Sequence, residues 1–218
     1  MAELSSAGGQ LSICLLQLWD TAPSGRHIDN RWQALNNRPM PDPLSLFWAP
    51  VCAIGSHGAA GPNAQICVSV FGASVTPERP RLLVTLWKDN FTHDLVAASE
   101  TLVITVLSEP LAGLVPELGL VSGRTQDKLA GTGFELTLRG DPYFPGGAAV
   151  ADCDVLRAFD LGDATSFLVA VRERRWLSDS PMLSRARMHE LLGEDFAERW
   201  EEKLRRSLPG YREAMAWG

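Results

Sequence analysis

The sequence predicts a mainly β fold, a barrel of short strands with helical inserts. Two observations carry that prediction. Six apolar or alternating runs follow one another between residues 50 and 176, and turn residues separate them. One short helical pattern interrupts them, between the third and fourth runs. Short strands with a single small helix between them close most readily into a barrel.

Each element can be justified in chain order. Residues 1–10 are rich in Ala, Ser and Gly and are expected to be disordered. Residues 11–49 hold Trp19, Trp32 and Trp48 among polar turns such as NNRPMPDP, and are expected to form an ordered extension that covers another surface. The barrel domain is expected over 50–178. PVCAIGSHG reads as a strand ending in a Gly turn, and QICVSVFGASV alternates with the period of a strand. RLLVTLW is the third strand and TLVITVLS the fourth. Between these two, NFTHDLVAASE sets Phe91, Leu95 and Val96 on one face of a short helix. PLAGLVPELGL and RTQDKLAG read as short helical or turn segments. AAVADCDVLRAFDLG and TSFLVAVRERRW are two more strands, joined by DLGDA. Residues 179–218 are charged and helical, with a start expected at Ser180-Pro181 and a stop at Pro209-Gly210. There Leu183, Met188, Leu191, Leu192, Phe196, Trp200 and Leu204 form an apolar stripe suited to packing.

Composition removes several classes of function. The chain has 218 residues, 45% of them hydrophobic, enough to bury a real core. Its net charge of -6 gives no basic face for nucleic acid. Cys14, Cys52, Cys67 and Cys153 form no CxxC pair, so no metal site is expected and the thiols read as reduced. LSICLLQLW lacks a preceding Lys or Arg and is too short to span a bilayer, so a cytoplasmic chain without membrane partners is expected. No nucleophile elbow or P-loop motif occurs. His57, in GSHGAAG, reads as a solvent-exposed turn histidine, and His189 as a surface residue.

The informative stretch is PNAQICVSVFGASVTPERP, residues 62–80. Small, amide and hydroxyl side chains stand where a core would want Leu and Ile. That pattern suits a flat ligand whose ring edge hydrogen-bonds to main chain. Downstream, Lys88, Asn90 and Thr92 open the first helix, combining a cation, a hydroxyl and helix N-terminal N–H groups. Those are the groups a phosphate requires.

Together these residues resemble the flavin reductase-like family, the FMN-binding split barrels. The matching positions are Pro62, Asn63, Cys67, Ser69, Phe71, Ser74 and Pro80, then Lys88, Asn90, Thr92, His93 and Asp94. VITVLSE, QDKLAG, VADCDV and LGDATSFLVAVRE follow in the family's order, so the resemblance spans Pro50 to Trp176. It implies a six-stranded split β-barrel, a homodimer, and FMN at or near the subunit interface. Lys88, Asn90 and Thr92 are implied to hold phosphate, with His93 beside it; Asn63 and the run Gln65, Ile66, Cys67, Val68 and Ser69 would line the ring and ribityl chain, largely through backbone. The implied activity is FMN-dependent oxidoreduction with hydride passing through flavin N5. One version takes NADH or NADPH and passes reduced flavin to a partner monooxygenase. The other converts a bound small-molecule substrate. The alternative is a non-catalytic FMN-binding module. No acid or base is assigned. The chain departs from the family pattern at Cys67, commonly Thr, and at Ala164, commonly a His after Gly-Asp. Ala164 and the two extensions favour a bound organic substrate.

Overall fold

The computed structural model describes residues 50–215. The expectations for residues 1–10 and 11–49, including Trp19, Trp32, Trp48 and Cys14, lie outside the described residues.

The strands are β1 (Cys52–Gly58), β2 (Gly61–Cys67), β3 (Val70–Gly72), β4 (Arg81–Trp87), β5 (Thr101–Val106), β6 (Glu135–Leu136), β7 (Pro142–Tyr143), β8 (Ala149–Asp160) and β9 (Ala164–Trp176). The helices are α1 (Phe91–Ser99), α2 (Leu114–Leu120) and α3 (Arg185–Ala214), with a 3₁₀ turn at Glu109–Leu111. Seven strands form one sheet in the order β2-β1-β5-β8-β9-β4-β3, and β6 pairs with β7 alone. All six expected runs form strands, and the second divides into β2 and β3. The β6–β7 hairpin is additional.

That division explains why the sheet curls. β2 and β3 lie at opposite edges of the sheet, yet only Val68 and Ser69 separate them. A flat sheet would hold its edges many strand widths apart, at about 4.8 Å per strand. Two residues cannot cross that distance, so the edges must meet. They meet at β4: the Thr85 N–H donates to Ser69 O at 3.0 Å, and the Cys67 thiol lies 3.5 Å from Thr85 O.

Strand alternation then sorts side chains between two cores. Cys52, Ile54, Cys67, Val84, Leu86, Leu102, Ile104, Cys153, Phe167 and Val169 fill the barrel, closed by Val96 of α1. Val51, Ala53 and Ala64 face outward and pack with Leu118 of α2 and with Leu183, Met188 and Phe196. α1 buries Leu95 and Val96 as its pattern predicted, while Phe91 stays partly exposed.

The C-terminal helix differs from expectation at both ends. It is capped by Ser184, whose side chain accepts from Arg187 N at 3.1 Å. The expected start at Ser180 instead lies in an extended segment, where Met182 bridges to Ser108 and Leu183 donates its N–H to Leu107 O and accepts from the Val51 N–H. Gly193 kinks the helix with φ 74, a left-handed value that glycine adopts without steric cost. The helix continues through Pro209-Gly210, because Tyr211 beyond them packs on Trp87 with ring centroids 5.6 Å apart. Of the expected stripe, Leu191 is exposed.

Candidate functional site

Strand register places the small-residue stretch on two faces. Asn63, Gln65 and Cys67 pair with Ser56, Ile54 and Cys52 and point into the barrel. Ile66 and Val68 lie on the outer face, packed against the cluster that includes Leu118 and Phe196. Ser69 sits at the seam, its N–H 3.4 Å from Cys67 Sγ. Burial pushes the Cys67 thiol up to about 12, so it stays a protonated, small neutral group. Gln65 Oε1 is buried without a protein partner among the described residues. β2 ends the sheet order, so its outer main-chain edge is unpaired by a further strand.

The start of α1 meets this strand directly. Asn63 Nδ2 donates to Thr92 Oγ1 at 2.6 Å, and both side chains are buried. Gly123 makes that junction compact: a Cβ there would lie 2.3 Å from Asn63 Oδ1. Asn90 is the N-cap residue of α1, and its side chain caps nothing within the helix. His93 turns toward the barrel, with Nε2 2.9 Å from Thr165 Oγ1 and its ring 5.6 Å from that of Phe167. Lys88 leads into the helix, and its Nζ donates to Asp160 Oδ1 at 2.7 Å. The structure therefore joins Asn63 to Thr92 and Cys67 to Ser69. It directs His93 to the barrel wall and Lys88 to the β8–β9 turn.

Two clefts flank the α1 start. One, of about 700 Å³, is lined by Pro62, Asn63, Phe91, Gly123, Arg124 and Phe134 among others. Arg124 stands 5.3 Å over the Phe91 ring, and its Nη2 donates to Asp94 Oδ2 at 2.6 Å. Partial burial raises the Asp94 carboxyl, but hydrogen bonds from His93 and Arg124 outweigh it and hold the group below its usual range. The second cleft, of about 360 Å³, is lined by Lys88, Asp160, Gly162 and Ala214. Trp87 lies at the end of β4, packed against Trp200 and Tyr211 of α3 at centroid distances of 6.5 and 5.6 Å.

Sequence reasoning missed Arg124, Asp160 and the aromatic wall of Trp87, Trp200 and Tyr211. Apart from Trp87, each is a long-range neighbour, and its local signal is a lone charge or aromatic. His57 also needs correction. It lies on β1, partly buried, with Nδ1 2.7 Å from Oδ1 of fully buried Asp141, 84 residues away in sequence. His189 is half-buried rather than exposed, and burial, with Arg185 nearby, lowers its pKa.

The donor set suits a phosphorylated planar ligand. Cations stand at the helix start, β2 ends the sheet order, and a buried amide oxygen lacks a partner among the described residues. Residues 44–190 match the flavin reductase like domain, and the chain belongs to that family. It is 30% identical over 132 residues to the high molecular weight rubredoxin of Moorella thermoacetica, covering 59% of this chain and 56% of that protein. The chain thus spans about half the length of that relative. Among solved structures, an FMN-binding protein from Thermus thermophilus with bound 1-cyclohex-2-enone superposes with TM-score 0.56 at 22% identity, over 72% of this chain and 81% of that one. An NADH:FAD oxidoreductase from Streptomyces globisporus gives 0.56 at 21%, over 71% and 89%. A nitrilotriacetate monooxygenase component B homolog from Mycobacterium thermoresistibile gives 0.57 at 22%, over 67% and 79%. These likenesses establish the split-barrel fold. Among the described residues no helix is long and apolar enough to cross a membrane.

Proposed function

We propose that the protein is an FMN-dependent oxidoreductase that works as a homodimer. One observation carries the reading. The Asn63–Thr92 hydrogen bond, 2.6 Å long, joins the small-residue strand to the helix start 29 residues later. The elements proposed to meet the ring edge and the phosphate are thereby joined. Lys88, Asn90 and the first N–H groups of α1 would take the phosphate, with Arg124 as a further cation. The main chain of Gln65, Ile66, Cys67, Val68 and Ser69 would meet the ring and ribityl chain. Bound FMN supplies hydride exchange at N5. The chain's residues bind and orient: Thr92 and His93 fix the helix start, and Trp87 walls the surface beside it.

NADH or NADPH is the proposed donor. The product is either reduced flavin for a partner monooxygenase or a reduced small molecule converted in place. Buried Ala164, at the start of β9, supports the second version, since it offers no imidazole there. The homodimer reading is supported by exposed apolar residues on and beside the β8–β9 hairpin, Leu156, Phe159 and Leu161.

The test loads the protein with FMN and adds NADH, then NADPH, without oxygen. Loss of the oxidised flavin absorption with either nucleotide is the expected result. Retained flavin that neither nucleotide reduces, and that a panel of enones and aromatic aldehydes fails to reoxidise after reduction with dithionite, would mark a binding module instead.

A further inference from the structure

The ammonium of Lys88 already has an anionic partner. Its Nζ donates to Asp160 Oδ1 at 2.7 Å, and the same oxygen accepts from the Gly162 N–H at 2.7 Å. The Lys88 N–H donates to Asp163 O at 3.0 Å, so the β8–β9 turn is tied to this point by main chain as well. One carboxylate oxygen thus collects an ammonium and a backbone N–H. Phosphate oxygens take the same pair of donors. The cleft of about 360 Å³ lined by these residues and Ala214 leaves room for an anion beside them. Both side chains reach solvent, Lys88 at 37% and Asp160 at 73% exposure. An ion pair that exposed is weak and can be exchanged.

We infer that Asp160 is an internal competitor for the flavin phosphate. It holds Lys88 in the free protein and yields it to a dianion. The inference rests on the proposed role of Lys88. A phosphate dianion draws on the ammonium more strongly than a single carboxylate does, so FMN displaces Asp160. Riboflavin carries no phosphate and has nothing to exchange. Asp160 therefore lowers the affinity for FMN without changing the affinity for the ring, and it screens out weaker anions.

The experiment titrates flavin fluorescence with the wild-type chain and with Asp160→Asn, Lys88→Gln and the double variant, using FMN and riboflavin. The Asn side chain keeps an acceptor for Gly162 N–H and removes the charge. Asp160→Asn is expected to bind FMN about threefold or more tightly, the scale of an exposed ion pair. Riboflavin binding stays unchanged, and the gain is absent in the double variant. Asp160→Ser, which also keeps an acceptor, repeats the test if the Asn variant folds poorly. Unchanged or weaker FMN binding by both neutral variants, with Lys88→Gln weakened, overturns the competitor role alone. FMN binding left intact by Lys88→Gln overturns the phosphate assignment and the competitor role with it.

Discussion

At the scale of single residues, Thr92 joins the start of α1 to β2. It is buried, and its hydroxyl is the acceptor for a buried amide. Thr92→Val preserves shape and leaves Asn63 Nδ2 without that partner. The expected cost is about 1–3 kcal/mol of stability, read as a lower urea midpoint, with FMN binding weakened as well. A variant as stable as wild type would show that the bond contributes nothing. Sequence reasoning found Asn63 and Thr92 because each lies in a local pattern, a turn and a helix start. It could not find Asp160 or Arg124. Lys88 and Asp160 are 72 residues apart, and only the folded β8–β9 hairpin brings them together. His57 was misplaced for the same reason: Asp141, which holds it, is supplied by the β6–β7 turn.

At the scale of elements, the C-terminal helix is held by aromatic contacts and by Lys203. Trp200 packs on Phe196 and Trp87, and its Cζ3 lies where a Cβ on Gly119 would be, 2.9 Å away. Trp200→Ala is expected to cost about 3 kcal/mol, measured by denaturant unfolding. A loss below about 0.5 kcal/mol, the range of neutral surface changes, would show that α3 is only loosely held. Lys203 Nζ caps Gly119 O, and buried Lys128 donates to Leu118 O at 3.0 Å and to Val121 O at 3.3 Å. Burial, and then nearby Lys203, pushes the Lys128 ammonium down to about 8. An unfolded lysine titrates near 10.4. Between those values the unfolded chain binds the extra proton, so stability rises with pH from about 8 upward. The buried thiols oppose this. Burial pushes Cys67 up to about 12 and raises Cys52 and Cys153 as well. Above about 8.5 an unfolded thiol loses a proton that the fold retains, and stability falls. The lysine and the three thiols nearly cancel up to about pH 8, and the urea midpoint is expected to fall above about pH 8.5. Lys128→Met removes the lysine's opposing contribution and steepens the fall between about pH 8 and 10, whereas identical profiles for the two proteins would refute the assignment. The start of α3 was misread because Ser180-Pro181 mimics a cap. The cap forms at Ser184 because Met182 and Leu183 are held extended by their bonds to Ser108 and Leu107.

At the scale of the molecule, most of the barrel was legible, because strand alternation and turn residues are local signals. The break at Val68–Ser69 was not, since the alternation runs straight through it. Only closure of the sheet, with Ser69 reaching Thr85, separates β2 from β3. The proposed dimer is a property of this same scale. Phe159 is 45% exposed and Leu156 44% exposed, and apolar area at that hairpin is best explained by a partner copy. Sedimentation is expected to give twice the chain mass, and Phe159→Lys to shift the protein toward monomer with weaker FMN binding. A wild-type chain that sediments as a monomer with FMN bound would remove the dimer from the account.

The measurement that tests the central claim most directly is a fluorescence titration of FMN, with riboflavin alongside, into the wild-type chain and Lys88→Glu. The account predicts that the wild-type chain binds FMN, binds riboflavin at least about tenfold more weakly, and loses that difference in Lys88→Glu, as removal of a charge-assisted phosphate contact requires. Equal affinity for the two flavins in the wild-type chain, or no binding of either, would contradict it.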